Sequence, residues 1–180
     1  MKAIFRDTFM TKNGWLAGWK CMNGELHDYG FLAVNGQAVS NGLIDKEEGR
    51  CIMARLLGEL KNAGFDSFDL GLPGNIFDIG NKDMARYQHA LPHGGYQNGG
   101  VTLSQARHFI NGLYAAEMTG EADFILGEMC KGLLYCNVVG GTGSGVDWKT
   151  WDGAATGYEG LLCDQFGIFE PLCKQYLVSH

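Results

Sequence analysis

The sequence predicts a mainly α protein, and three observations carry the prediction. Four stretches repeat an apolar residue every three or four positions, no β alternation of comparable length appears, and glycine-rich segments separate the helical patterns. The first stretch covers about 45–62, with Ile52, Leu56, Leu57 and Leu60 on one stripe, Asp45 and Glu48 at capping-box spacing, and Gly64 as the stop. The second follows Gly100. Thr102 and Gln105 repeat the capping spacing there, and Leu103, Ala106, Ile110, Leu113 and Tyr114 share one side before the pattern ends near Gly120. The third covers about 121–136 through Ala122, Ile125, Leu126, Met129, Leu133 and Leu134, and so short a connection predicts an antiparallel helical hairpin. The fourth opens at Thr156 and continues through Tyr158, Leu162, Phe166, Phe169, Cys173 and Tyr176, with Pro171 placed to kink it. The apolar run at 31–34 reads equally well as strand or helix.

With 180 residues, 46% of them hydrophobic, the chain is long enough for one globular domain with its own core. A net charge of -6 and the lack of any Lys/Arg block make nucleic acid a poor partner. The start, Met1 to Asp7, lacks the apolar core and small-residue cleavage site of a signal peptide, and no apolar run approaches a membrane span. A cytoplasmic protein is therefore expected. Its six cysteines, Cys21, Cys51, Cys130, Cys136, Cys163 and Cys173, form no C-x-x-C and read as reduced, buried thiols, although an even count leaves disulfides and an exported form open. His89 and His93 lie four apart, but Pro92 and Gly94 break the helix that would align them as metal ligands. The glycine run at 140–145 lacks the lysine of a phosphate-binding loop. Chemistry without a cofactor is expected. A Cys-His or Ser-His-Asp enzyme stays open, but no nucleophile sits in a recognisable elbow.

The segments 11–43, 65–101 and 137–156 are too long to be plain connections in a helical domain, and loops of that length usually carry function. They also hold Trp15, Trp19, Tyr96, Trp148 and Trp151. Around these rings stand carboxylates, amides and glycines, as in His27-Asp28-Tyr29, Tyr96-Gln97-Asn98-Gly99-Gly100 and Asp147-Trp148-Lys149-Thr150-Trp151-Asp152-Gly153. Saccharides require that mixture, because a ring covers the C–H face of a pyranose while Asp, Asn and Gln bond its hydroxyls.

Tyr96-Gln97-Asn98-Gly99-Gly100 ahead of a helix, a helical hairpin next, then Asp147-Trp148, Trp151-Asp152-Gly153 and Gly157-Tyr158-Glu159-Gly160 together resemble the C-terminal half of the six-hairpin glycosidases. The resemblance spans most of 15–176 and rests on loop motifs. It implies an (α/α)6 toroid with saccharide bound in a cleft of loops at one end, and hydrolysis by inversion. Twelve helices with short connections need roughly 200–240 residues, so this chain is expected to form about half a toroid. Apolar helix faces would then need cover, which implies a homo-oligomer or a partner that completes the ring.

Glycoside hydrolysis generally uses two carboxyl groups, one as general acid and the other activating water. Glu159 and Asp152 form the favoured local pair, with Asp28 opposing them; Asp78 and Asp83 stand behind. Each also has a purely structural reading: Thr156 and Glu159 have capping-box spacing, Asp152-Gly153 is a turn pair, and Asp28 can be a solvated loop charge. Trp15, Trp19, Tyr96, Gln97, Asn98, Asp147, Trp148, Trp151 and Tyr158 are the candidate saccharide contacts, although large aromatics also serve as core. Glu117, Glu121 and Glu128 read as solvated helix positions. Two other classes remain: a carbohydrate-binding or assembly subunit without a complete acid/base pair, and a sugar epimerase or polysaccharide lyase in which His or Tyr acts as base.

Overall fold

The computed structural model describes residues 2–86, 89, 92–135, 146–159 and 166–177, and for 146–147 and 155–159 the backbone only. It is mainly helical, as the sequence predicts. The chain order is α1 (Lys2–Phe9), β1 (Trp19–Lys20), β2 (Leu26–His27), α2 (Leu32–Ser40), α3 (Lys46–Asn62), β3 (Leu72–Pro73), β4 (Val101–Thr102), α4 (Leu103–Ala115), α5 (Thr119–Leu134), β5 (Val146–Lys149), β6 (Ala155–Glu159) and α6 (Phe166–Leu172). Short 3-10 turns lie at Phe68–Leu70 and Asn81–Asp83, and a wider helical turn, Cys173–Leu177, extends α6.

The three predicted amphipathic helices form for the stated reasons. Asp45 accepts a bond from the Glu48 amide at 2.9 Å, α3 buries Ile52, Met53, Leu56 and Leu60, and Gly64 leaves the helix with a φ of 85°. Thr102 caps α4 by accepting from the Gln105 amide at 3.1 Å. Helices α4 and α5 are joined through Glu117, whose φ of 57° lies in the left-handed region. That turn is fastened from α3, where Arg50 donates to the Ala116 carbonyl at 3.1 Å and Lys46 pairs with Glu117 at 2.9 Å.

Elsewhere the expectations need correction. Residues 155–159 begin no helix: they form β6, which pairs antiparallel with β5 in the register Val146↔Glu159, Trp148↔Thr156 and Lys149↔Ala155. The Thr156/Glu159 spacing therefore opens no helix at these residues, and the last described α-helix is α6, with Pro171 inside it. Strands do occur. β3, β4, β5 and β6 make one antiparallel sheet in that order, and β1 pairs with β2 in a hairpin. Two helices beyond the predicted ones appear, α1 and α2, so the run at 31–34 resolves as the start of a helix. The described cysteines are free, but not buried: Cys21, Cys51 and Cys173 are exposed and Cys130 is half-buried. Among the described residues no helix is long and apolar enough to cross a membrane.

Helices α2, α4 and α6 form a packed row, with α4 in the middle. Contact between α2 and α4 is close because Gly36 and Gly112 meet there; a Cβ on Gly36 would stand 2.2 Å from the His108 carbonyl oxygen. On the other flank Gly167 of α6 lies against the Leu103 carbonyl, while Arg107 and Asn111 both reach Glu170, at 3.3 and 3.1 Å. The partners ascend together, so α4 and α6 run in the same direction. Buried Leu32, Val39, Ile52, Leu56, Phe109, Ile110, Leu113, Ile125 and Ile168 belong to one core shared by the row and by α3 and α5. Full burial of such a side chain contributes about 1.5–3 kcal/mol.

Candidate functional site

The row determines where the loops go. The chain enters α2, α4 and α6 from segments carrying Asp28, the Tyr96-to-Gly100 turn and the β5–β6 hairpin, respectively. One buried amide joins the first two. Phe31, the residue before α2, forms a β-bridge with Asn75, and the Asn75 side-chain oxygen accepts from the Gly99 amide at 2.9 Å. The Gly99 carbonyl in turn accepts from the Trp151 indole at 2.6 Å, which brings in the third. Asn75 is fully bonded, since its amide nitrogen donates to the Phe77 carbonyl at 2.9 Å. All three loops are thus stitched together at one end of the helical row.

Within the Tyr96 turn, Gly94 donates to the Asn98 carbonyl at 2.7 Å and Gly100 to the Tyr96 carbonyl at 2.9 Å, and Tyr96 takes a φ of 37°. Asn98 is buried and wholly committed: its oxygen accepts from the Ile79 amide at 2.8 Å and its nitrogen donates to Asp78 at 2.7 Å. Tyr96 packs on Trp148 with ring centroids 5.5 Å apart, and Trp148 is itself buried. Trp151 is half-buried between Phe65 and His93, at 5.2 and 5.0 Å.

The first loop holds a second aromatic group. Because Trp19 of β1 stands opposite His27 of β2, their rings stack 4.8 Å apart and 6° from parallel. Tyr29 and Phe31 close around Trp19 at 6.1 and 5.8 Å. His27, 6% exposed, bonds through Nδ1 to Asp83 at 2.6 Å and through Nε2 to the Cys21 sulfur at 3.1 Å. Tyr29 donates a short hydrogen bond to the same Asp83 oxygen. Burial opposes ionisation of Asp83, but the bonds from Tyr29 and His27 outweigh it and hold the carboxyl below its ordinary value. Burial first, and then the Asp83 bond, pushes the Tyr29 hydroxyl up to about 12.

Trp19 and Gln97, predicted as saccharide contacts from different loops, line one cavity of about 340 Å³ together with Phe31 and Asp83. A neighbouring cavity of about 490 Å³ is lined by Asn13, Glu25, His27, Asp28 and Lys82. Both volumes fall in the range of small-ligand sites. Asp28 accepts from the Trp15 indole at 2.6 Å, from Asn13 at 2.9 Å and from the Gly30 amide at 3.1 Å. Trp15 is only 5% exposed and stacks on Phe77 at 6.3 Å, so the Asp28–Trp15 bond braces the loop from below. Asp152 is exposed in the β5–β6 turn, where a short bond from Thr150, followed by the Ala154 amide, keeps its carboxyl below the ordinary value. Backbone register puts Asp147 on β5 and Tyr158 and Glu159 on β6, and the side chains of these three lie outside the described residues.

Asn75, Cys21 and the partnership of His27 with Asp83 were not singled out by sequence reasoning. His27 and Asp83 are 56 positions apart with no motif between them, and Asn75 has no local pattern at all. Among the described residues no three His, Cys, Asp or Glu side chains converge as metal ligands do. No protein-family model, curated protein or solved structure matches this chain.

Proposed function

We propose that the chain is a saccharide-handling unit of six-hairpin type, about half of an (α/α)6 toroid, that hydrolyses glycosidic bonds by carboxylate acid/base catalysis with inversion. The observation that carries this reading is the stitching of three aromatic, carboxylate-bearing loops at one end of the α2–α4–α6 row. In a toroid of helical hairpins alternate helices line the ring; the contact of α2 with α4 and of α4 with α6, with α3 and α5 as return helices, supports that arrangement. Trp19 supplies the ring for a pyranose face and Gln97 an amide for its hydroxyls.

In this reading Glu159 and Asp152 are the acid/base carboxylates and Asp28 opposes them, although the register sets Asp152 in the β5–β6 turn and Glu159 opposite Val146 at the other end of the hairpin, and Asp28 lines the neighbouring cavity. Trp151, Trp148 and Tyr96 stiffen the far wall, with Asn98 and Trp15 holding the loops from beneath. The exposed Leu134, Tyr135, Phe166, Phe169, Tyr176 and Leu177, at the end of α5 and along α6, favour cover by a second copy or by a partner completing the ring. One observation favours a binding subunit instead: both described carboxylates of the proposed set, Asp28 and Asp152, are already bonded by their own loops.

A panel of oligosaccharides incubated with the protein and with Glu159→Gln and Asp152→Asn variants separates the two. Hydrolysis lost in the variants with saccharide binding retained supports the enzyme. Binding without hydrolysis in the parent protein supports the binding subunit, and an unsaturated product would move the assignment to a lyase.

A further inference from the structure

The cluster around His27 has a chemistry that saccharide hydrolysis does not use. We propose that Cys21, His27 and Asp83 form a nucleophilic thiol site at which a small hydroperoxide oxidises Cys21 to a sulfenic acid.

The geometry follows the logic of an activated nucleophile, with a thiol in contact with a base and the base oriented by a third group. Asp83 is held as a carboxylate by Tyr29, so the His27 nitrogen facing it, Nδ1, carries the proton and donates at 2.6 Å. In the neutral imidazole Nε2 is then the acceptor, 3.1 Å from the Cys21 sulfur. His27 and Asp83, 6% and 9% exposed, are locked between Trp19 and Tyr29, while Cys21 is exposed at the start of the β1–β2 turn. A fixed base thus serves an accessible thiol. Lys82, paired with Glu25 at 3.1 Å, adds a positive charge that interacts electrostatically with Cys21.

The turn also bears on the class of electrophile. The amides of Cys21, Gly24 and Glu25 are bonded within it, to Glu25, to Cys21 and to the Asn23 side chain. Acyl transfer needs a preorganised pair of donors aimed at an oxyanion, and three amides of this turn are committed to the turn itself. A peroxide needs no such hole. His27 takes the thiol proton, the sulfur attacks one peroxide oxygen, an S–O bond forms and the O–O bond breaks. The departing hydroxide, or alkoxide where the hydroperoxide carries an alkyl group, then recovers the proton from His27 and leaves as water or alcohol. The sulfur is oxidised by two electrons and the peroxide reduced by two, which is the first, reversible step of thiol oxidation.

The test treats the intact protein with hydrogen peroxide at pH 7, traps sulfenic acid with dimedone and measures adduct per cysteine by mass spectrometry. The exposed Cys51 and Cys173 serve as controls in the same molecule. A free thiol is only a few per cent ionised at this pH, and a contacting base that takes the proton as the sulfur attacks gives an expected gain of roughly 5- to 10-fold. Cys21 should lead the two controls by that factor, and Asp83→Asn should reduce the lead to near parity. Equal rates at the three cysteines would overturn the proposal, and so would an undiminished lead in a folded Asp83→Asn variant. If that variant does not fold, the ratio within the parent protein still decides.

Discussion

Replacing Gly36 by alanine probes the closest approach in the helical row. The added Cβ would meet the His108 carbonyl oxygen at 2.2 Å, the Phe109 Cα at 2.5 Å and the His108 carbonyl carbon at 2.6 Å. These are backbone atoms of α4, which cannot swing aside as a side-chain tip would, so α2 and α4 must part by about 1 Å to restore ordinary contact. Alanine gains about 1 kcal/mol over glycine in a helix interior, whereas overpacking costs about 1–3 kcal/mol or more, and immovable neighbours place this site at the costly end. The expected net loss is about 1–2 kcal/mol, a fall in Tm of roughly 3–6 °C for a chain of this size. Gly58, in α3, is the control: a Cβ there meets nothing within 4 Å, so the same substitution should stabilise by about 1 kcal/mol. Thermal unfolding followed by circular dichroism at 222 nm reads both variants. If Gly36→Ala matches or exceeds the parent while Gly58→Ala behaves as expected, α2 does not pack on α4 at this distance and the row is wrongly drawn.

Asn75→Ala leaves the buried Gly99 amide without an acceptor, at a cost of about 1–3 kcal/mol; urea unfolding should register that loss, and amide exchange at Gly99 should accelerate. Asp83 lies below its ordinary value of 3.8, so the stability it contributes is present above that pH and is lost as acid drives it through the lower, folded-state value; Asp83→Asn should remove that part of the acid limb in a stability-against-pH series. Tyr29 titrates near 12 instead of 10.0, so the neutral phenol stabilises the fold below pH 10 and that contribution fades between 10 and 12; Tyr29→Phe should flatten the alkaline limb. Trp19→Ala should weaken saccharide binding at least 10-fold by calorimetry, whereas Lys61→Ala, on the exposed end of α3, should leave it unchanged.

What the sequence disclosed followed the range of the forces involved. Helices α3, α4 and α5 were legible because each carries a one-sided apolar stripe, and α3 and α4 also carry a side-chain cap within three residues of the helix start. α2 was ambiguous for the opposite reason. It is packed between α3 and α4, burying Leu32, Asn35, Gly36, Ala38 and Val39, so no polar face marks its period. α1 has only eight residues and is pinned by Arg6 to Glu48, 42 positions away. β6 imitated a capped helix because Thr-x-x-Glu is a local pattern, whereas its pairing with β5 is settled by cross-strand partners that spacing alone does not reveal. The loops likewise announced their composition but not their wiring. Trp19 and Gln97 were identifiable as residue types suited to saccharide, yet the amide that draws their loops together, Asn75, is one polar residue among many in the chain.

Saccharide handling by this chain requires a single shared cleft at the end of the α2–α4–α6 row. The direct measurement is a 15N-correlated NMR titration with the saccharide panel, following the Trp19 and Trp15 indole and the Gln97 side-chain amide signals. Trp19 and Gln97, from separate loops but lining one cavity, should shift with the same midpoint, while the Trp15 indole, which donates to Asp28, reports whether that carboxylate engages the same saccharide. Saccharides that leave both signals unmoved, or that move Trp19 and Gln97 with unrelated midpoints, would contradict the cleft.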